Sequence, residues 1–472
     1  MYRPLIALIA LTGCLDTSEE SPGEDTAADV SECCEASDTL DGDVADLSDA
    51  IAALQNELTA LRGSMDQLAT REEVAQLQDE VAALAEQLAQ AERDAILLLS
   101  EDTTWTVGPT GDHPDLPAAM AALQRYVIAD SAAVTLQLEP GTHRYSAPIA
   151  LAHASGARIR IVGDPEAPGT VQLEFEESDG LTVRGGYVLG YLDGVSIVGD
   201  AGGYAGIHVE DNGVLLAGGA IEVSGFGQPD DDMDLDYHAP ERESYGAGVR
   251  VAYGGVFREI GEEGSLHTES NDFGVLAVNG GIIEVPALTT ASNGVGAGAY
   301  NNAVLIAEAS VATANLNYST HTNAAVMINN DSEASGAGHR VENNSFLDVY
   351  QSRVSDVTDG SCYRAYRSSA IHANNSSASN CQTNSYYASS NSHISAADSI
   401  ASGNGESGYR AYYSASIGAD DSESKNNVRY GYYASHSGVM LLRDTSASGN
   451  GSGNYSPSRT GSVQIDSFSF ND

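Results

Sequence analysis

Lysine is almost missing. Lys425 is the single lysine in 472 residues, and Lys and Arg together number 21 against 67 Asp and Glu. The net charge of -46 argues against nucleic acid and anionic membrane surfaces as partners, since both are held by clustered cations. It also leaves an acidic polysaccharide no approach except a local arginine cluster. Such acidity suits a solvated, exported protein. Long apolar runs are missing too. Met1 to Gly13 is too short to span a bilayer as a mature helix, and no other segment is long enough to span one. From Leu15 to Asp49 there is no Lys or Arg at all. The few apolar residues up to Leu40 cannot offset chain entropy, so residues 14–39 read as a solvated, self-repelling tether. Cys33 and Cys34 sit within it, where they could pair between subunits in an oxidising compartment.

Helical repeats need a continuous apolar stripe, and most of the chain lacks one. What it has is a period. Tyr363, Tyr386, Tyr409, Tyr432 and Tyr455 recur every 23 residues. Ala365, Ala388, Ala411 and Ala434 keep the same register, as do Ile371, Ile394, Ile417 and Met440, and Ser376, Ser399, Ser422 and Thr445. Short runs at period two, such as Tyr409, Ala411 and Tyr413, are separated by Ser/Asn/Gly turns. A parallel β-helix with one rung per repeat accounts for this pattern, equivalent residues stacking about 4.8 Å apart. The repeat is looser upstream, where Tyr204-Ala205-Gly206-Ile207, Tyr245-Gly246-Ala247-Gly248-Val249 and Asp272-Phe273-Gly274-Val275 each set an aromatic before a strand start. Ser292, Thr313, Ser335, Ser355, Ser379 and Ser402 follow at 20 to 24 residues. On the order of fourteen coils of about 22 to 23 residues are expected from Leu136 to Asp466.

Between tether and repeat, residues 40–100 read as a coiled-coil stalk. Leu40, Val44, Leu47, Ile51, Leu54, Leu58, Leu61, Met65 and Leu68 form one heptad seam. Val74, Leu77, Val81, Leu84, Leu88, Ala91, Ala95 and Leu98 form a second. The two are out of phase across Thr70-Arg71-Glu72-Glu73, a capping box, so the stalk is either two coaxial segments or a hairpin. The narrow apolar faces favour a homo-oligomer, dimer or trimer.

Leu11-Thr12-Gly13-Cys14, after Arg3 and the apolar run Leu5 to Leu11, resembles the lipobox of bacterial lipoproteins. The resemblance implies a signal peptide over 1–13, lipidation of Cys14 and a membrane anchor through the N-terminus. Leu15 rather than Asp after the Cys suggests the outer membrane or cell surface. Trp105 to Pro109, an expected helix from Leu116 to Ile128, a strand Val134 to Leu138 closed by Pro140-Gly141-Thr142, and Arg158 to Gly163 resemble the start of pectin-lyase-like right-handed β-helices, phage tail-fibre members included. The class expected for residues 105–472 is therefore all-β, a right-handed parallel β-helix, with the helix capping its open end.

Enzymes of that class use an Arg or Lys base with carboxylate-bound calcium, or paired carboxylates. Here Lys425 falls in an expected turn, Asp420-Asp421 lacks the surrounding GxD, GHG and RxK elements, and adjacent Asp residues in a strand face opposite ways. No zinc site is read around His208, Glu210, Asp211 and His238. Asp230, Asp232, Asp234 and Asp236, in an insertion bounded by Pro229 and Pro240, could converge on one calcium but read first as a solvated loop. Apart from that calcium no cofactor is expected. Cys362 and Cys381, in adjacent rungs, are a disulfide candidate.

Parity assigns the faces. Tyr363 shares the parity of Ala365, which places the tyrosine column inside. Arg364, Tyr387, Arg410 and Tyr433 then point outward, with Tyr366 and Tyr412 beside them. Arg over Tyr in successive rungs stabilises itself by cation–π contact. The same strip also suits an extended polysaccharide, aromatics stacking on sugar faces and Arg pairing with uronate or sulfate. The sequence thus points to a lipid-anchored, non-enzymatic surface protein with a rigid head for adhesion or polysaccharide contact. A polysaccharide lyase or glycoside hydrolase with an unrecognised site is the alternative.

Overall fold

Short β-branched or alanine-rich runs broken by turn residues give strands of two to six residues, each too short to be stable alone. In the computed structural model they stack instead on the equivalent strand of the next repeat. The structure describes residues 49–64, 71–94, 96–228, 245–260 and 265–465. The chain falls into two compact units, Met1–Leu97 with Arg125–Val127, and Leu98–Gln124 with Ile128–Asp472.

In the first unit, residues 49–64 and Arg71–Asp94 are helical. Ile51, Leu54, Leu58 and Leu61, and then Leu77, Val81, Leu84 and Leu88, are half-buried while most neighbouring positions are exposed. These eight positions lie along one face of each helix, while Leu40, Val44, Leu47, Met65 and Leu68 of the first seam lie outside the described residues. The coiled coil expected from the seams is an association between chains and stays a proposal. Leu98, expected in the second seam, lies in the strand Leu97–Leu99. Four consecutive apolar residues, Ile96 to Leu99, fit either period, and here the extended form prevails.

The second unit is a parallel β-solenoid of about 14 turns. Each turn runs through three parallel sheets in order, as in Val304–Ala307, Val311–Thr313 and Tyr318–Asn323. Among the described residues the first sheet has 15 strands, from Thr103–Val107 to Ser462–Ile465, and the second and third have 13 each. The helix Leu116–Leu123 packs against Thr103–Val107 and Ile149–Ala150 at the N-terminal end, with Leu116, Ala119, Met120 and Leu123 buried. Asp115 caps it by accepting from the Ala118 N–H. It ends five residues short of expectation, because Tyr126–Ile128, a β-favouring aromatic and branched run, is strand.

Register places the repeated columns. Tyr363, Tyr386, Tyr409, Tyr432 and Tyr455 pair rung on rung. Their rings stack inside the solenoid at 4.9, 4.8, 4.8 and 5.3 Å, within 10° of parallel. The serine column explains how phenols survive there. Ser352, Ser376, Ser399 and Ser422 meet the hydroxyls of Tyr363, Tyr386, Tyr409 and Tyr432 at 2.8 to 2.9 Å. Each buried polar group is thus satisfied, as burial requires. Burial raises all four phenol pKa values.

Asn404, Asn427 and Asn450, also 23 residues apart, form a ladder. The Asn404 N–H and Nδ2 both donate to Asn427 Oδ1 (3.2 and 2.5 Å), and Asn427 repeats this onto Asn450 (3.1 and 2.8 Å). The left-handed residue is the one before each: Gly403, Asn426 and Gly449 have φ of 67, 56 and 65°. The turn bends there so that the asparagine side chain can enter the core. A second ladder, Asn271–Asn293–Asn315, repeats the motif upstream. Glycine makes room for it: a Cβ on Gly296 would stand 2.6 Å from Thr290 Oγ1 and 2.8 Å from Asn315 Nδ2. Thr313, Ser335, Ser355, Ser379 and Ser402 share one column of the second sheet. Ser292 does not, because Ala291 pairs with Thr313 and Ser292 takes the left-handed turn position at φ 54°.

Two substitutions test this core. Asn427→Ala removes the one oxygen that both Asn404 donors share and one of the two donors to Asn450 Oδ1, and should lower unfolding stability by about 2 to 3 kcal/mol in a denaturant titration. His339 occupies the tyrosine column one rung before Tyr363. Its Nε2 and the Ser332 hydroxyl both lack a hydrogen-bond partner, and burial pushes its pKa down to about 4. The unfolded state then binds more protons, so stability falls as pH drops from about 6.5 toward 4. His339→Tyr should lose this acid limb and set its hydroxyl toward Ser332; thermal melts at pH 7 and pH 4.5 read the difference.

Candidate functional site

Since Tyr363 and Ala365 point inward, Arg364 and Tyr366 must face out, and the same parity holds two and three rungs on. Arg364, Tyr387, Arg410 and Tyr433 are consecutive partners on the outer face of the third sheet. Tyr366 and Tyr412 flank them, and all six are half-buried. Arg410 is the hub. Its guanidinium lies 5.4, 5.2 and 5.7 Å from the ring centres of Tyr387, Tyr412 and Tyr433. Arg364 sits 4.5 Å from the Tyr366 ring and donates to its hydroxyl at 2.8 Å.

Several further members of this surface keep the 23-residue spacing without repeating one residue type, Glu406 with Arg429, and Tyr413 with His436 and Arg459. Glu406 binds Arg410 at 2.5 Å and Arg429 at 3.4 Å. Tyr430 stacks on Tyr433 at 4.9 Å and 10°. Tyr413 and His436 pack around Tyr412 at 4.0 and 4.5 Å, and Arg459 contacts His436. The Tyr433 hydroxyl is held below the ordinary phenol value by its bond with Ser435, aided by Ser458 and the charges of Arg410 and Arg459. Tyr387 is pushed the other way, up to about 12, by burial.

Farther toward the N-terminus the same face is closed. Phe273, Leu276, Val278, Val295 and Tyr300 form a second apolar cluster outside the solenoid interior. Next to it a buried polar network joins Tyr300 to His321 (2.5 Å), His321 to Glu342 (3.0 Å), and Glu342 to Arg340 and Arg367 (3.3 and 3.6 Å). Burial works to raise the Glu342 pKa, and the bond with His321 and the charge of Arg340 overcome it, so the carboxyl stays below its usual range. At the far end His208 lies between Asp179 (3.5 Å) and Glu210 (3.2 Å), with Arg184 on Glu210 at 3.0 Å. The second sheet has a shallow depression lined by Thr313, Glu333, Ser335, Arg353 and Ser355, crossed by the Arg353–Glu333 pair at 3.8 Å and carrying no aromatic.

The remaining expected sites separate. Cys362 and Cys381 form a disulfide with Cα atoms 5.6 Å apart. Asp230, Asp232, Asp234 and Asp236 lie outside the described residues, as do Cys14, Cys33 and Cys34. Among the described residues no group of three His, Cys, Asp or Glu side chains is arranged to hold a metal ion. Asp420 and Asp421 lie in a turn rather than a strand, Asp421 at φ 54° and Asp420 paired to Arg443 at 2.7 Å. Lys425 lies in the strand Glu423–Lys425, its ammonium 2.9 Å from Glu423; the column that supplies serine at Ser402 and Ser448 supplies lysine here.

No protein-family model matches the chain, and no curated protein does. Among solved structures it is similar to the catalytic unit of the thermostable GH87 α-1,3-glucanase of Streptomyces thermodiastaticus strain HF3-3, at 10% identity and a TM-score of 0.42. That match covers 74% of this chain, which spans 64% of the glucanase chain. At this level of similarity it bears on neither substrate nor activity.

Glu342→Gln removes the anion shared by His321, Arg340 and Arg367 from a buried position. It should lower stability by roughly 3 kcal/mol or more in chemical denaturation, with the Arg364–Tyr433 surface losing its upstream support.

Proposed function

We propose that the protein is an exported, lipid-anchored surface protein whose solenoid offers the Arg364–Tyr433 strip to an extended glycan without cleaving it. One observation carries this reading: Arg410 sits among three tyrosine rings on a half-exposed face, at 5.2 to 5.7 Å from each. Rings presented in consecutive rungs give a sugar chain stacking faces, and the polar rims of Arg410 and the phenols give hydroxyl partners. The lipobox-like Leu11-Thr12-Gly13-Cys14 supports anchoring through Cys14, and the heptad seams support a homo-oligomeric stalk. Support for a non-catalytic role is that the best acid and base candidates, Asp420 and Lys425, are each engaged in an ion pair.

A glycan array probed with the full chain tests the reading. Binding should weaken about tenfold or more in Tyr412→Ala and Arg410→Ala, a loss of about 1.4 kcal/mol. An unchanged array in both variants removes the strip from the binding surface. Release of reducing or unsaturated ends from any polysaccharide in a panel replaces the non-catalytic reading with an enzymatic one.

A further inference from the structure

A surface built to read acidic sugars would leave guanidinium groups open to carboxylate or sulfate, commonly in bidentate geometry. Apart from Arg459, which contacts His436, the cations on this face are arranged differently. Arg410 and Arg429 share Glu406 at 2.5 and 3.4 Å, and Arg340 and Arg367 share Glu342 at 3.3 and 3.6 Å. Arg364 is turned onto the Tyr366 ring and hydroxyl. Glu406 is a quarter exposed and stands at the margin of the Tyr387, Tyr412 and Tyr433 rings through its bond to Arg410. An anionic ligand reaching Arg410 would therefore meet a carboxylate already on that guanidinium, in a chain of net charge -46. Like charges a few ångströms apart repel strongly near a protein surface.

We infer that this strip selects neutral, hydroxyl-rich glycans, and that Glu406 is the residue that rejects acidic ones. The inference rests on the glycan-contact reading above. A neutral sugar hydroxyl donates to lone pairs that Glu406 keeps after binding the two arginines, while ring faces stack on the tyrosines. Neither contact needs a charge on the ligand, so affinity is insensitive to salt.

The test uses a matched ligand pair, an oligouronate and its full methyl ester, beside neutral oligosaccharides of varied linkage, with the full chain and with Glu406→Gln. Wild type should bind a neutral ligand or the ester at least tenfold more tightly than the free acid, with a dissociation constant unchanged between low and high salt. Glu406→Gln should close that gap by strengthening acid binding, which salt then weakens, and should bind the neutral ligand no better than wild type. Free acid bound as tightly as ester by wild type overturns the inference and leaves glycan contact standing. A gap that persists in Glu406→Gln overturns the role of Glu406. No binding to any glycan sinks the glycan-contact reading itself. The ester pair gives its answer on the unmodified protein, so the ligand class is decided even where Glu406→Gln fails to fold.

Discussion

Rung-on-rung register is the constraint on which the solenoid depends. In a parallel stack every side chain has its counterpart one rung away, at the spacing of the backbone hydrogen bonds. A polar side chain can enter the core only where the neighbouring rung supplies its partner. Asn404, Asn427 and Asn450 meet that condition by passing each amide onto the next. The tyrosines meet it through a second column, with Ser376, Ser399 and Ser422 on the phenol oxygens. Where the condition fails, the failure is visible as unpartnered atoms at His339 and Ser332, in the rung just before the tyrosine ladder begins.

The asparagine ladder is also interrupted in the middle, and the interruption coincides with the disulfide. The Gln382 and Gly405 N–H groups donate to the carbonyls of Val357 and Cys381, as the Val428 N–H does to Asn404. Val357 and Cys381 therefore stand where asparagine stands in later rungs. Cys381 still gives its N–H to Asn404 Oδ1 at 3.1 Å, so the ladder ends on it. The bond to Cys362 then ties the turn covalently at the point where side-chain amides stop doing so.

Legibility in the sequence follows from the same constraint. Columns of 23-residue spacing and their parity could be read because each rung repeats one chemistry; Tyr409 inward and Arg410 outward needed only alternation. The ladder Asn271–Asn293–Asn315 carried a readable signal, a 22-residue spacing, but lay in a stretch whose aliphatic columns vary and hide the period. The left-handed turn residue is harder to read, because Asn is itself a favoured left-handed residue, and Gly403 and Gly449 show their role only once the backbone is seen. Glu406, Arg429, Tyr413, His436 and Arg459 are hidden for a different reason. Glu406 and Arg429, and Tyr413, His436 and Arg459, keep the 23-residue spacing, but the chemistry changes from rung to rung, so no repeated residue type marks these columns, and only the folded turn geometry gathers them around the Arg410 face.

The inward ladder has a consequence for the outward face. Tyr409 is clamped by the stacked rings on either side and by Ser399, and Tyr432 likewise by Ser422. The backbone between these anchors cannot shift without breaking both sets of contacts. Arg410 and Tyr433 therefore leave a fixed base, and their rotamers are narrowed further by mutual packing and by Glu406. Side-chain ordering is a main cost of binding, and here folding has already met it. A surface whose guanidinium groups are mostly engaged by Glu406 and the tyrosine rings owes its recognition to shape held in advance. The most regular part of the core thus lies beneath the outward aromatic strip, and the regularity that reports the fold is what would make the strip rigid enough to read a repeating ligand.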